Sequence, residues 1–590
     1  MEEKNKINAI DQFLIEQQTL TAVERFSEMH EKGKIPQQEK YYKALLPGSP
    51  PGPGQQYAFQ VDLDSCSGCK ACITGCHNRN GLDEGEMWRN VGLIHGEKKF
   101  APVLPLKATE VLLGDFVSDV EEAKQYHPPT ECSSDPRSKK NPAPSKFYFQ
   151  QHITTACHHC LDPACLTGCP VKAYEKDPQT GIVRHLDDQC IGCKYCIYKC
   201  SYGVPQYSEA RGIVRKCDMC TERLREGEAP ACVQSCPNQA IRITVVDTAQ
   251  VAMNPGKDFQ IPFSPDPHYT QPTTIYKTSH PIPDTVLPAD HGVILPQPPE
   301  HSLVFMLILT QASAGIYFIS SLLGLGAEKF IRVQSLMGIL FGALGLGIAT
   351  FHLGRPLYAY RSFLGFRTSW LSREAVFLGI FMNLAFVTAL FAWGDSFQSW
   401  IPLGLKPLFM AASQYGVQEM WATAILGWVG VFSSGMIYFD TPRAGWNSLA
   451  TPVKFFLTAG ILGVSELIFM RFWLLDPRGE TLKLVLLALI LIKASIEAWA
   501  FLPLANPKDS PLKRSAILMM GELKTATILR WIAMMGGTLC LWMSSFHYGQ
   551  WKLAGMGFLL LIAGECLERH LFFRAVVPPR MPGFIVHHEE

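Results

Sequence analysis

The sequence predicts a protein in two parts: a soluble, cysteine-rich domain, then an all-α bundle of eight transmembrane helices. Two observations carry that expectation. Of the 19 cysteines, 17 fall before residue 240, whereas long apolar runs begin only at residue 302. A length of 590 residues also exceeds what a single hydrophobic core normally serves. The formal net charge is +1 and no concentrated basic surface is visible, which argues against nucleic acid as the partner.

From the N-terminus, Ile10, Phe13, Leu14, Leu20, Val23 and Phe26 recur at roughly helical spacing within 8–29 and predict one amphipathic helix. "LLPGSPPGPG" then interrupts regular structure, so residues 1–56 form a leading segment. The cysteine domain is expected over 57–250, with a surface insertion at about 97–150. Ten prolines between 262 and 299 predict a stiff, extended linker over 251–301. The helices occupy 302–583 and leave a tail at 584–590. The opening "MEEKNKINAIDQFLIEQQTL" has neither an apolar core nor a twin-arginine pair. The cysteine domain is therefore expected in the cytoplasm, where free thiols persist.

Eight apolar stretches approach the ~20 residues needed to cross a bilayer. They lie at approximately 302–326, 333–353, 374–394, 417–439, 452–474, 483–504, 529–547 and 552–572. An even number returns the C-terminus to the side of the cysteine domain. Loops and helix ends on that side hold fourteen Lys and Arg, among them Arg355, Arg361, Arg367 and Arg373, while the opposite side holds seven. Positively charged loops tend to remain cytoplasmic. The count thus agrees with the N-terminal reading: a multi-pass protein of the inner, cytoplasmic membrane with its cysteine domain inside.

Cys66, Cys69, Cys72 and Cys76 read C-x2-C-x2-C-x3-C, and Cys190, Cys193, Cys196 and Cys200 repeat that spacing. Cys157, Cys160, Cys165 and Cys169 read C-x2-C-x4-C-x3-C-P, and Cys217, Cys220, Cys232 and Cys236 read C-x2-C-x11-C-x3-C-P. The triple motif wraps the backbone around an iron–sulfur cubane, while the cysteine four residues later serves a second cluster. Structural zinc instead takes two ligand pairs, usually separated by a spacer and often including histidine. Disulfides do not suit a cytosolic domain. Sixteen cysteines in four complete quartets therefore predict four [4Fe-4S] clusters, with all sixteen thiolates as iron ligands. Cys132, within the insertion, is left as a spare thiol.

"CHHCLDPACLTGCPVKAY", "DDQCIGCKYCIYKCSYGVPQY" and "VRKCDMC" resemble the four-cluster iron–sulfur subunit of membrane-bound molybdopterin oxidoreductases of the dimethyl sulfoxide reductase type, over residues 57 to about 245. The resemblance implies an α+β domain made of a pair of ferredoxin-like units, and an exchange of ligands between quartets. Cys66, Cys69 and Cys72 would share a cluster with Cys236, and Cys217, Cys220 and Cys232 one with Cys76. Cys157, Cys160 and Cys165 would take Cys200, and Cys190, Cys193 and Cys196 would take Cys169. One departure is the stretch of about 80 residues between Cys76 and Cys157, including "ECSSDPRSKKNPAPSK", which is longer than usual in that family.

"FHLGRPLYAYRSFLGFRTSWLSRE", "GWNSLATP" and "ERHLFFRAVVPPRMPG" resemble the eight-helix anchor subunit of the same reductases, over residues 302 to about 583. The two subunits are here fused in one polypeptide. His352 ends the second apolar stretch and Glu374 begins the third, both on the side of the cysteine domain. The resemblance places them where menaquinol binds, and a neutral histidine near a carboxylate suits proton acceptance from a quinol. The plainer alternative is that both merely hydrogen-bond to loops at the interface. Lys493 and Glu497, four apart on one helix, are read as a structural ion pair. Glu466, Glu565 and Glu568 are weaker candidates for a proton path. Only His352, His547 and His570 lie near helix ends, and no haem is expected.

The combined expectation is an electron-transfer protein. Electrons pass from menaquinol or another quinol of the membrane quinone pool, through four clusters, to a separate molybdopterin-containing catalytic subunit that reduces nitrate or a sulfoxide. Nothing in the sequence resembles a molybdopterin-binding domain. An ion-translocating module, or reverse flow from a dehydrogenase into quinone, are the alternatives.

Overall fold

The computed structural model describes residues 42–96, 149–323, 328–393, 416–474, 479–544 and 551–584. The helix expected over 8–29, Cys132 with most of the insertion, and His547 lie outside these residues.

The soluble part is a ferredoxin-type domain of short strands and helices. Strand β1 (Gln55–Asp62) pairs antiparallel with β8 (Ile241–Asp247) and parallel with β9 (Ile275–Lys277). A second sheet pairs β2 (Asn90–Gly96) with β3 (Gln150–Thr155) and β10 (Val286–Pro288), both antiparallel. Two hairpins, β4 (Tyr174–Lys176) with β5 (Val183–His185) and β6 (Gln206–Ser208) with β7 (Ile213–Arg215), complete the strands. The two longer sheets enclose a common core. Ala58, Phe59 and Val61 on β1, Ile94 on β2 and Ile153 on β3 are buried in it, each large aliphatic or aromatic side chain contributing on the order of 1.5–3 kcal/mol.

The proline-rich stretch 251–301 is extended, but it is not a free linker. It supplies β9 and β10, the edge strands of both sheets. Proline is tolerated there because an edge strand needs ladder hydrogen bonds on one side only. Composition alone does not reveal such pairing.

Two pairs of short helices carry cysteines. Helix α1 (Ala71–Asn80) lies against α5 (Ala231–Gln234), and α2 (Ala164–Gly168) against α3 (Tyr195–Lys199). The contacts are close because glycines sit in them. A Cβ at Gly75 would collide with the Ser235 side chain, and one at Gly168 would reach to 2.9 Å from Lys199 Cγ. Helix α4 (Thr221–Arg225) precedes α5 in sequence, and α6 (Thr248–Met253) follows β8.

The second part is a helical region: α7 (His301–Leu322), α8 (Glu328–Ala349), α9 (Trp370–Ala392), α10 (Gly416–Phe439), α11 (Ala450–Leu474), α12 (Gly479–Trp499), the short α13 (Pro511–Met520), α14 (Lys524–Met543) and α15 (Trp551–Arg574). Among the described residues seven helices, α7 to α12 and α14, are long and apolar enough to cross a membrane. Helix α15 is 24 residues long, but Glu565, Glu568 and Arg569 in its interior make it too charged to qualify on composition. Small residues let the helices approach, as is usual in bilayers. Gly315 of α7 meets Ala459 and Gly463 of α11, and Gly537 of α14 meets Gly557 of α15. Outward-facing side chains such as Leu336, Phe386, Leu491 and Met535 are exposed and apolar, as a lipid-facing surface requires.

The two parts meet backbone to backbone. Arg355 N donates to the Ile191 carbonyl at 3.1 Å, and Gly365 N to the Pro170 carbonyl at 2.7 Å. Ser369 Oγ donates to the Gly168 carbonyl at 2.7 Å. Lys199 Nζ reaches both the Asp440 carbonyl at 2.7 Å and its carboxylate at 2.9 Å. The loop after α8 and the loop after α10 therefore lie on the side of the cysteine domain. So does the C-terminal segment, where Leu93 N donates to the Gly583 carbonyl at 3.3 Å. At the centre of the junction a Cβ on Gly354 would stand 2.0 Å from the Gly212 carbonyl oxygen, and one on Gly192 would meet both Gly212 and Gly354. Gly354→Val should consequently destabilise the full-length protein by about 1–3 kcal/mol, seen as a fall in melting temperature in detergent. An unchanged melting temperature would show that the junction is not packed as described.

Candidate functional site

The opening C-x2-C of each of the four motifs shares one backbone device. The third residue of each has positive φ: Gly68 (73°), His159 (41°), Gly192 (71°) and Met219 (59°). A left-handed residue turns the backbone back on itself, so that both cysteines of the motif face one space. In Cys66–Lys70 and Cys190–Lys194 the match extends further, since Lys70 (62°) and Lys194 (59°) are also left-handed and cap α1 and α3. Non-glycine residues rarely adopt this conformation, and its repetition marks four copies of one loop.

The thiols gather by fours, and the groups do not follow sequence order. Cys66 lies within electrostatic reach of Cys69, Cys72 and Cys236. Cys76 is influenced by Cys232 and Cys220, and Cys217 by Cys76 and Cys232. A small cavity is lined by Cys157, Cys160, Cys165 and Cys200. Another is lined by Cys169, Cys190, Cys193 and Cys196. Each of these cavities has four sulfurs on its wall, three from one motif and one from its neighbour. Backbone amides point at several of the sulfurs: Ala173 N at Cys169 (3.2 Å), Gly192 N at Cys190 (3.4 Å), Met219 N at Cys217 (3.4 Å) and Ala240 N at Cys236 (3.3 Å).

Burial pushes the Cys76 thiol up to about 12 and the Cys169 and Cys220 thiols up to about 11. Thiolates are therefore stable here only against a bound cation, which deprotonates a coordinating thiol. His158 is held neutral, pushed down to about 3 by burial and then by Arg89. Four sulfurs around a cavity, with amides directed at them, fit iron–sulfur clusters; they would be held by the cysteines and would supply one-electron carriers.

The groups form a row. Cys72 is acted on by Cys232, and Cys217 by Cys157, which joins the first, fourth and second motifs. Tyr174 stands between Cys165 and Cys196. One end of the row reaches the surface at Cys69, which is exposed. The other end reaches the helices.

There a cavity of about 200 Å³ is lined by Cys193, Tyr195 and Tyr198 of the soluble domain, by His352 and Leu353, by Glu374 and Leu378 of α9, and by Tyr438 of α10, among others. His352 and Glu374, singled out from sequence, thus share one cavity with a cysteine of the row. The Nδ1 atom of His352 is buried and makes no well-formed hydrogen bond. Glu374 is buried, and Ser434 Oγ donates to its Oε1. Tyr438, which sequence reasoning missed, completes the wall; no motif distinguishes it from other aromatic residues near a helix end.

Comparison with known proteins decides the family. Residues 148–246 match a 4Fe-4S dicluster domain, and residues 297–574 match the DMSO reductase anchor subunit (DmsC). The B subunit of the anaerobic dimethyl sulfoxide reductase of Escherichia coli K12 is 30% identical over 233 residues, which are 39% of this polypeptide and 94% of that protein. The protein belongs to the dimethyl sulfoxide reductase family of electron-transfer subunits. The corresponding B subunit of Haemophilus influenzae is 27% identical over 223 residues, covering 38% of this polypeptide and 89% of that one. "Hydrogenase-2 operon protein HybA" of Escherichia coli O157:H7 is 31% identical over 235 residues, covering 37% and 62%. The iron–sulfur part and the anchor of the reductase family are thus joined in one polypeptide, a membrane-anchored electron-transfer protein.

Deeper in the anchor lies a second polar cluster. Lys493 lies 3.9 Å from Glu497, as the spacing of four suggests, but Glu565 of α15 is a closer partner and Glu568 lies at 3.8 Å. Arg530 pairs with Glu497 at 2.9 Å and Glu565 at 3.4 Å, and Lys454 with Glu568 at 3.1 Å. Glu565 and Glu568 are therefore partners in one ionic clamp across α11, α12, α14 and α15, while Glu466 stays buried elsewhere on α11. Glu565→Gln should cost about 3 kcal/mol, because it removes the carboxylate that the buried Lys493 and Arg530 share and leaves them only Glu497 and Glu568. Thermal unfolding in detergent should show this, and the double variant Lys493→Met/Glu565→Leu should recover part of it. Unchanged melting of Glu565→Gln would remove the structural role.

Proposed function

We propose that this protein oxidises a membrane quinol at the His352–Glu374 cavity and delivers its electrons, through four [4Fe-4S] clusters, to a separate molybdopterin-containing reductase. The observation that carries the reading is the shared wall: Cys193 and the two ionisable residues line one space. The ligand sets are Cys66, Cys69, Cys72 and Cys236; Cys76, Cys217, Cys220 and Cys232; Cys157, Cys160, Cys165 and Cys200; and Cys169, Cys190, Cys193 and Cys196.

Quinol oxidation releases two electrons and two protons. His352, set in the wall of the cavity, accepts a hydroxyl proton, and Glu374, oriented by Ser434, receives or relays the other. Apolar neighbours such as Leu353 and Leu378 exclude water from the rings. Both proton acceptors stand beside the clusters, so electrons need not cross the membrane and the reaction is electroneutral. An ion-translocating role would instead require buried carboxylates joined across the full depth, whereas the ionic clamp ties Glu497, Glu565 and Glu568 to fixed cations. Those neutralised charges make α15 an eighth span. The exposed Cys69 end of the row is where the catalytic subunit docks.

His352→Leu should abolish quinol-driven reduction of the clusters while dithionite still reduces them, with about sixteen iron per polypeptide retained. Normal quinol oxidation by this variant, or a membrane potential generated by turnover in sealed vesicles, would overturn the reading. The arginine-rich loop on the cluster side supports a cytoplasmic soluble domain. Protease added to sealed spheroplasts should accordingly leave that domain intact and cut it only after lysis; cleavage from outside would reverse the orientation.

A further inference from the structure

Two cations of the cysteine domain, Arg89 and Lys216, are buried without an ion-pair partner among the described residues, and both stand between neighbouring thiol groups. Arg89 is 2% exposed. Its Nη1 donates to Thr154 Oγ1 at 3.1 Å and its guanidinium lies 4.6 Å from the Phe59 ring centre, but Nε and Nη2 make no hydrogen bond. Thr154 Oγ1, which accepts from Arg89, lies 3.6 Å from Cys72 Sγ, and the thiols whose charges act on Arg89 are Cys232, Cys72, Cys217 and Cys76. Three of these belong to the Cys76–Cys217–Cys220–Cys232 set, and Cys72 belongs to the Cys66 set.

Lys216 is likewise 2% exposed. Its Nζ donates to the Val183 and Cys217 carbonyls and lies 3.7 Å from Cys157 Sγ. Cys157, Cys165 and Cys217 act on its charge before Asp218 does. It therefore bridges the Cys157 set and the Cys217 set. Other buried cations of this domain are different: Arg215 pairs with Glu86 at 3.0 Å, and Lys199 with Asp440 at 2.9 Å.

A buried cation with no counter-charge is strongly destabilising. Something at these positions must supply negative charge, and the groups that face them are sulfurs. A [4Fe-4S] centre with four thiolates is an anion, and it gains one further negative charge on reduction. A fixed positive charge nearby, in a low-dielectric interior, favours the reduced form and raises the reduction potential. The set formed by Cys76, Cys217, Cys220 and Cys232 faces both cations; the Cys66 set faces Arg89, and the Cys157 set faces Lys216 and lies within electrostatic reach of Lys176 and Arg443 as well.

We propose that Arg89 and Lys216 are potential-setting residues, each raising the reduction potentials of the two clusters it stands between: Arg89 for the Cys66 and Cys217 clusters, Lys216 for the Cys157 and Cys217 clusters. The inference rests on the four-cluster reading above.

The test is a redox titration of the full-length protein in membranes, followed by EPR, with signals assigned through single Cys→Ser variants and iron measured in parallel. Lys216→Gln should shift the midpoints of the Cys157 and Cys217 clusters downward and leave the Cys66 cluster in place. Arg89→Gln should shift the Cys66 and Cys217 clusters, and Lys216→Arg should restore wild-type values. Unshifted midpoints at full iron content, or the same shift in Lys216→Arg as in Lys216→Gln, would overturn the proposal. Should the neutral variants lose iron, the charge-conserving Arg89→Lys decides: at full iron content its midpoints must match those of the parent, and a downward shift would refute the assignment. An unmutated protein with far fewer than about sixteen iron would instead defeat the four-cluster reading itself.

Discussion

Everything in this molecule depends on a contact between three glycines. Gly354, in the loop after α8, packs its backbone against Gly192 and Gly212 of the cysteine domain, with no room for a side chain on any of them. Electron transfer weakens steeply with distance, so a quinol site is useful only if the first carrier shares its wall. The glycine contact brings the Cys190 loop down onto the helix ends. Hydrogen bonds from Arg355 to Ile191 and from Gly365 to Pro170 then hold it. The cavity containing His352, Glu374 and Cys193 is the space left beneath.

Fusion of the two subunits follows the same logic. As separate polypeptides the two parts would have to assemble that junction from solution, whereas here residues 251–301 run directly from one to the other. That segment does more than connect. It adds β9 and β10 to the two sheets and so anchors the soluble domain to the helices. Asp290, accepting from Gly583 N at 2.8 Å, ties the end of the helical part back to it. Buried charge is handled in two ways. In the helices Lys493 and Arg530 are matched by carboxylates, while in the cysteine domain Arg89 and Lys216 face sulfur.

Much of this is legible in the sequence because its signals are local. The opening C-x2-C of each quartet encodes a loop with a left-handed third residue, and the structure repeats that loop four times. Long apolar runs encode helices, and the eight runs correspond to α7 to α12, α14 and α15. His352 and Glu374 are visible as ionisable groups at helix ends. What is not legible is long-range. No periodicity shows that a proline-rich stretch becomes two edge strands, because edge pairing is decided by the neighbouring strand. The spacing of four matches Lys493 to Glu497, but its closer partner, Glu565, is 72 residues away on another helix. Arg89 carries no signal at all until folding brings Cys72 and Cys232 around it.

The central claim is that the quinol cavity and one particular cluster share a wall. The most direct measurement is the EPR spectrum of each reduced cluster with and without a tight-binding quinol analogue, in membranes containing the full-length protein. The account predicts that the analogue perturbs the line shape or relaxation of the cluster held by Cys169, Cys190, Cys193 and Cys196, and leaves the other three unchanged. A perturbation confined to any other cluster, or none at all with the analogue demonstrably bound, would contradict it.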